Sequence, residues 1–195
     1  MRAAALAWGR VVVSIPPMQP QSLISAVEIQ TRVTALGAQI AADHSAGAGA
    51  GESGDPLTLV AVMDGAFLFA ADLARAIRIP DLRLHFVRAS SYRGTVSSGT
   101  VAHEALPDLA GRDVLVVDDI LDTGRTLAAV LASCAGAARV RTCVLLDKPD
   151  RRVPGGLASA DYTGFTIADR FVVGYGLDLD GRYRHLPEVC TLDGI

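Results

Sequence analysis

The stretch Val114 to Leu127, VLVVDDILDTGRTL, decides the fold. Val114 to Val117 read as a short buried strand, and Thr123 to Ala135 as a helix opening on a Thr-Gly turn, so the acids Asp118 and Asp119 stand where the strand gives way. Ligands of open α/β sheets bind at that place. Backbone N–H groups of Asp122, Thr123, Gly124, Arg125 and Thr126, helped by the two threonine hydroxyls, can cradle a phosphate at a helix N-terminus, where the dipole also favours negative charge. Carboxylates accept hydrogen bonds from a vicinal diol, so an acidic pair beside a phosphate nest points to a ribose phosphate. No GxxxxGK[ST] loop occurs, which excludes a Walker B reading of the strand. Gly49 to Gly54, GAGESG, matches GxGxxG formally. It falls after a helix and before a strand, the reverse of the dinucleotide-binding context, and reads as a linker.

Outward from this stretch, helix and strand patterns alternate. Ile24, Val27, Val33, Leu36 and Ile40 recur near helical spacing and predict a first helix from Ser22 to about Asp43. Leu57 to Met63 predicts a buried strand, Ala66 to Ile77 a helix, Leu82 to Arg88 a strand beyond Pro80, and Val140 to Leu146 another strand. The polar stretch Ser90 to Thr100 predicts a mobile excursion. The order implies an α/β fold, a mainly parallel sheet flanked by helices. From Pro149 onward short apolar runs near Phe165 and Phe171 to Val173 predict a cap on the sheet. Residues 1–17 read as an extension without a fold role, ahead of one domain over 18–195.

Composition narrows the function classes. The chain has 195 residues, half of them apolar, enough for one sizeable core. A formal charge of −3 supplies no basic footprint for nucleic acid or an acidic membrane face. No apolar run reaches the roughly 20 residues of a membrane span. Cys134, Cys143 and Cys190 form no CxxC pair and leave one over, which fits a reducing cytoplasm rather than a disulfide framework or a zinc site. His44, His85, His103 and His185 lack ligand spacing and are expected on the surface or in packing.

The acid pair after four apolar residues, followed by D-T-G-x-T, resembles the phosphoribosyl pyrophosphate signature of type I phosphoribosyltransferases. Asp169 to Glu188, DRFVVGYGLDLDGRYRHLPE, is similar to the tail of the hypoxanthine-guanine branch. The resemblance covers nearly everything from Ser22 to Asp193. It implies the type I fold, with a small hood made of the N-terminal and C-terminal segments. The implied activity is transfer of a 5-phosphoribosyl group to a 6-oxopurine by a magnesium-dependent homo-oligomer, a dimer or tetramer.

Residue by residue, the resemblance has Asp118, Asp119, Asp122, Thr123, Gly124, Arg125 and Thr126 holding the ribose 5-phosphate. Phe171 stacks on the purine, the Val172 backbone meets the base edge, and Asp178 binds magnesium beside the base, with Asp118 and Asp119 as further metal candidates. Arg184 and the Met63-Asp64-Gly65 loop, where the family has a non-proline cis peptide, hold pyrophosphate. Many relatives carry a basic residue where Asp64 stands, so here the backbone is the expected contact. Ser91 and Tyr92 match the family's lid.

Lys148 aligns with the lysine that faces the exocyclic oxygen of the purine. Composition supports it independently, because Lys148 is the only lysine among 18 basic residues and a compact ammonium suits one carbonyl oxygen better than a guanidinium fork. Adenine, which presents an amino donor there, is disfavoured. Asp122, at the start of the phosphate turn, is the candidate for taking the proton from purine N7. A xanthine-preferring enzyme and a phosphoribosyl pyrophosphate-sensing regulator on the same fold are the alternatives. The regulator needs a basic face, and Arg151-Arg152 is the one arginine cluster present.

Overall fold

A computed structural model describes residues 19–47, 56–91 and 101–192. The expected extension over residues 1–17, the Gly49–Gly54 linker and Tyr92 of the expected lid lie outside the described residues. In chain order the elements are β1 (Pro20–Ile24), α1 (Ala26–Gly47), β2 (Leu57–Met63), α2 (Phe67–Ala76), β3 (Leu82–Ser91), β4 (Val101–His103), β5 (Asp113–Leu121), α3 (Arg125–Ala132), β6 (Arg139–Asp147), β7 (Tyr162–Thr166), β8 (Val172–Val173) and β9 (Val189–Leu192), with a 3-10 turn at Pro149–Arg151.

Strand β2 is apolar along its length except at Thr58 because it lies mid-sheet, buried on both faces. It pairs in parallel with β3 on one side and β5 on the other. The six-stranded sheet runs β4-β3-β2-β5-β6-β7, parallel apart from β4. Chain direction across the sheet reverses between β2 and β5, so their carboxyl ends flank the crevice where such sheets bind ligands. Helices α1 and α2 cover one face around Ile29, Val33, Leu36, Phe69 and Leu73. Helix α3 covers the other around Leu127 and Val130. Strands β1, β9 and β8 form a separate three-stranded antiparallel sheet that joins the two chain ends, as the expected hood requires. Among the described residues no helix is long and apolar enough to cross a membrane.

Several boundaries differ from the sequence expectation. Residues 22–24 belong to β1, not to the first helix, because Ser22 and Ile24 pair with Cys190 and Val189. The helix starts at a capping box: the Glu28 carboxylate accepts from the Ser25 amide (2.9 Å) and hydroxyl (2.6 Å), and the Glu28 amide bonds back to Ser25 Oγ. Val27, assigned by periodicity to the buried stripe, is 76% exposed. Strand β5 runs past the acids to Leu121, since its backbone stays paired with β6 as far as Leu121 and Asp147. Helix α3 is shorter than expected at both ends. The region after Pro149 does more than cap: β7 joins the main sheet in parallel beside β6.

Candidate active site

The phosphate turn is fixed by glycine geometry and by one arginine. Gly124 caps α3 with φ +79°, a left-handed conformation that side chains disfavour, and a Cβ there would strike the Leu157 backbone. The first backbone bond within the helix runs from Ala128 N to Gly124 O (3.0 Å), so the amides just ahead of it have no intrahelical partner, and the Arg125 amide makes only a long contact with Thr123 Oγ1 (3.4 Å). Arg152 gathers the turn from behind. Its guanidinium donates to the carbonyls of Leu121, Asp122, Lys148 and Ala158 and pairs with Asp147.

A cavity of about 370 Å³ opens above this turn, lined by Asp118 to Leu127 from the β5 side and by Val62, Met63 and Gly65 from the end of β2. The Met63-Asp64 peptide is cis. Gly65 leaves no room for a side chain, since a Cβ would collide with the Asp119 carboxylate. Asp64 turns its own carboxylate to Arg88 (3.1 Å), so its side chain is committed to a cation and the loop backbone is what faces the cavity.

A second cavity of about 280 Å³ abuts the first and shares Gly65, Asp119, Ile120 and Asp122 with it. Its other walls are Lys148, Phe171, Val172, Leu177, Asp178 and Arg184. Lys148 is buried just past the end of β6, its amide tied to Leu121 O, while Phe171 is 40% exposed. Arg184 bonds Asp178 (2.8 Å) and the Gly176 carbonyl (2.5 Å), and the Gly181 amide holds the other Asp178 oxygen (2.6 Å).

Burial, and then the adjoining carboxylate of Asp119, raises the Asp118 carboxyl well above the usual range. Asp119 is also raised, chiefly by burial, against the pull of its hydrogen bonds and of Arg184. Adjacent carboxylates of this kind, Asp118 buried and Asp119 half-buried, gain from a cation. Among the described residues no cluster of three or more metal-ligating side chains exists. The carboxylates of Asp118, Asp119 and Asp178, which line the two cavities, are hard oxygen donors of the kind that can hold a magnesium ion together with substrate oxygens.

Every described residue assigned to a site from sequence borders one of the two cavities, apart from Asp64, which points away, and Ser91, which ends β3. Asp122 and Lys148 line the same cavity. The sequence reading gave no role to Arg151, Arg152 or Asp169. Arg151 bonds Asp122 (3.0 Å) and lies 3.7 Å from Asp169, which in turn lies 3.8 Å from Lys148. The adjacent Arg151-Arg152 pair is the one feature of the sequence that points to this corner of the site.

Comparison with known proteins agrees in fold and sequence. Residues 25–180 match the family model of the phosphoribosyl transferase domain. The chain is 40% identical over 194 residues to the hypoxanthine-guanine phosphoribosyltransferase of Mycobacterium avium, covering 92% of this chain and 93% of that one. It is 38% identical over 175 residues to the hypoxanthine phosphoribosyltransferase of Salmonella typhimurium, covering 86% and 92%. The crystal structure of a Staphylococcus aureus hypoxanthine phosphoribosyltransferase superposes with a TM-score of 0.77 at 36% identity, over 88% of this chain and 90% of that one.

Proposed function

The chain belongs to the phosphoribosyltransferase family, in its hypoxanthine-guanine branch, and we propose that it transfers the 5-phosphoribosyl group of phosphoribosyl pyrophosphate to hypoxanthine or guanine in purine salvage. The products are IMP or GMP and pyrophosphate. One observation carries the reading: the phosphate turn and the Lys148-Phe171 pocket are two halves of a single cleft, meeting at Asp119 and Asp122. A sugar phosphate seated on the turn has its anomeric carbon beside a base held against Lys148.

In this reading the Asp122–Thr126 turn binds the 5-phosphate, and Asp118 and Asp119 bind the ribose hydroxyls. Arg184 and the amides of the Asp64-Gly65 loop hold the pyrophosphate. Lys148 donates to the 6-oxo group, Phe171 stacks on the ring and the Val172 backbone reads its edge. Asp178 and the Asp118-Asp119 pair would hold magnesium, which when bound would supply positive charge to offset that of the leaving pyrophosphate. As the purine N9 bonds to the anomeric carbon and the bond to pyrophosphate breaks, Asp122 accepts the proton from N7.

The same reading makes the protein a cytoplasmic homo-oligomer. Three free, buried cysteines suit a reducing compartment. Pyrophosphate release followed with hypoxanthine, guanine, xanthine and adenine in turn, with and without magnesium, tests the reaction. Turnover with the first two and none with adenine is expected, and release with no purine at all would overturn the reading. Faster turnover of xanthine than of either would move the assignment to the xanthine-preferring branch.

A further inference from the structure

The charged groups at the base cavity form a chain of four. Lys148 and Asp122 are its ends and both line the cavity. Asp169, between β7 and β8, and Arg151, on the 3-10 turn after β6, are its middle members. Successive separations are 3.8 Å from Lys148 Nζ to Asp169 Oδ1, 3.7 Å from Asp169 Oδ2 to Arg151 Nη1, and 3.0 Å from Arg151 Nε to Asp122 Oδ1. The Lys148 contact lies beyond hydrogen-bond reach. Asp169 therefore balances a buried ammonium without consuming its three donors, and these stay available to a carbonyl oxygen. Arg151 does make a hydrogen bond, to one Asp122 oxygen, which leaves the other oxygen for a substrate proton. The planar guanidinium presents separate edges to the two carboxylates, Nε to Asp122 and Nη1 to Asp169.

We propose that Asp169 and Arg151 are positioning residues that align base recognition with proton transfer: Asp169 aims Lys148 at the 6-oxo group, and Arg151 sets the Asp122 carboxylate. This rests on the purine-transfer reading above. Because Asp169 also holds Arg151, the guanidinium keeps an anionic partner after Asp122 takes up a proton, and the alignment survives the reaction. Discrimination against a 6-amino purine depends on the same bridge, since a loosened Lys148 no longer sets donor against donor.

Steady-state kinetics with hypoxanthine and adenine on the full chain, wild type against D169N, D169E, R151M and D169N/R151M, tests this. Both side chains are about half exposed, 50% and 47%, so their removal leaves the core intact, and thermal midpoints check that it does. Asp169→Asn should raise KM for hypoxanthine about fivefold or more, leave KM for phosphoribosyl pyrophosphate within about twofold, and narrow the preference for hypoxanthine over adenine. Arg151→Met should instead lower kcat about tenfold, with KM for hypoxanthine little changed. Asp169→Glu should restore most of the loss, and the double variant should fall short of the product of the two single effects. Wild-type constants in both single variants, effects that multiply in the double, or a general decline tracking the thermal midpoint would each overturn the bridge. A wild type inactive with every purine would defeat the functional reading instead.

Discussion

Asp122 has a hydrogen-bonded carboxylate at the junction of the two cavities, so changing its chemistry while keeping its shape separates turnover from binding. Asp122→Asn should cut kcat by a factor on the order of 10²–10⁴, the usual worth of a general base, with KM for phosphoribosyl pyrophosphate within about threefold. An unchanged kcat in steady-state assays would remove Asp122 from proton handling. A second residue bears on stability alone. Thr58, near the start of β2, is fully buried, and its hydroxyl is the one buried side-chain polar atom without a partner among the described residues. Thr58→Val keeps the shape, removes the stranded hydroxyl and should stabilise the fold by about 1 kcal/mol or more. That is a rise of about 2–4 °C in the unfolding midpoint for each kcal/mol at this chain length. A lower midpoint would mean that the hydroxyl is satisfied. At this scale the sequence made Asp122 and Lys148 legible because their chemistry is local, one in a phosphate turn and one a solitary lysine after a strand. Arg151 and Asp169 were not legible. Their roles come from contacts such as the one linking Asp122 to a side chain 29 positions away, which no periodicity announces.

Among the elements, β2 and α2 were legible from sequence because burial on both faces, or on one stripe, writes itself into the residue pattern. The end of β5 was not, because the acids proposed to serve the ligand sit in positions whose backbone is still paired. Strand β7 was hidden for another reason. YTGFT is a half-polar edge, and the carbonyls of Thr163 and Gly164 are capped by Arg32 of α1, an interaction more than 130 positions apart in sequence. A comparable long-range tie closes the opposite end of the sheet. Asp113 at the start of β5 accepts from His44 of α1 (2.6 Å) and from Arg139 of β6, all distant from the chemistry. Burial alone would raise the Asp113 carboxyl, but the bonds from Arg139 and His44 outweigh it and hold the group below its ordinary range. A carboxylate lowered by folding stabilises the native state above its unfolded pKa, about 3.9, and that contribution disappears as pH falls through the lower folded value. Asp113→Asn should therefore reduce the thermal midpoint at pH 7, by an amount constant down to about pH 5 and shrinking below about pH 4. A gap that widens in acid would show that the three-way contact does not act through the Asp113 charge.

For the whole molecule, the unfinished part of the helix layer is the informative one. Sheets of this class bury both faces, yet Leu84 and Phe86 of β3 are 47% and 60% exposed and, with Phe67 of α2 at 37%, surround an apolar cavity of about 280 Å³. An apolar patch of this kind marks an interaction surface. Arg88 shares the Leu84-Phe86 side of β3 and pairs with Asp64, so both signs of charge lie beside the patch, and such a border can match itself across a two-fold axis. A second copy of the chain is the occupant this favours, in keeping with the proposed homo-oligomer. Met63 lines this cavity as well as the one above the phosphate turn, so cover on the patch bears directly on the loop expected to hold pyrophosphate. Phe86→Glu should then yield a monomer in sedimentation velocity where the wild type runs as a dimer or larger. Because the side chain contributes more to the surface than to the core, the variant should keep a cooperative unfolding transition. Loosening of the Met63 side of the loop should appear as a several-fold rise in KM for phosphoribosyl pyrophosphate, with KM for hypoxanthine nearly constant. A wild type that sediments as a monomer at micromolar concentration would assign the patch to a different partner and leave the homo-oligomer without its surface.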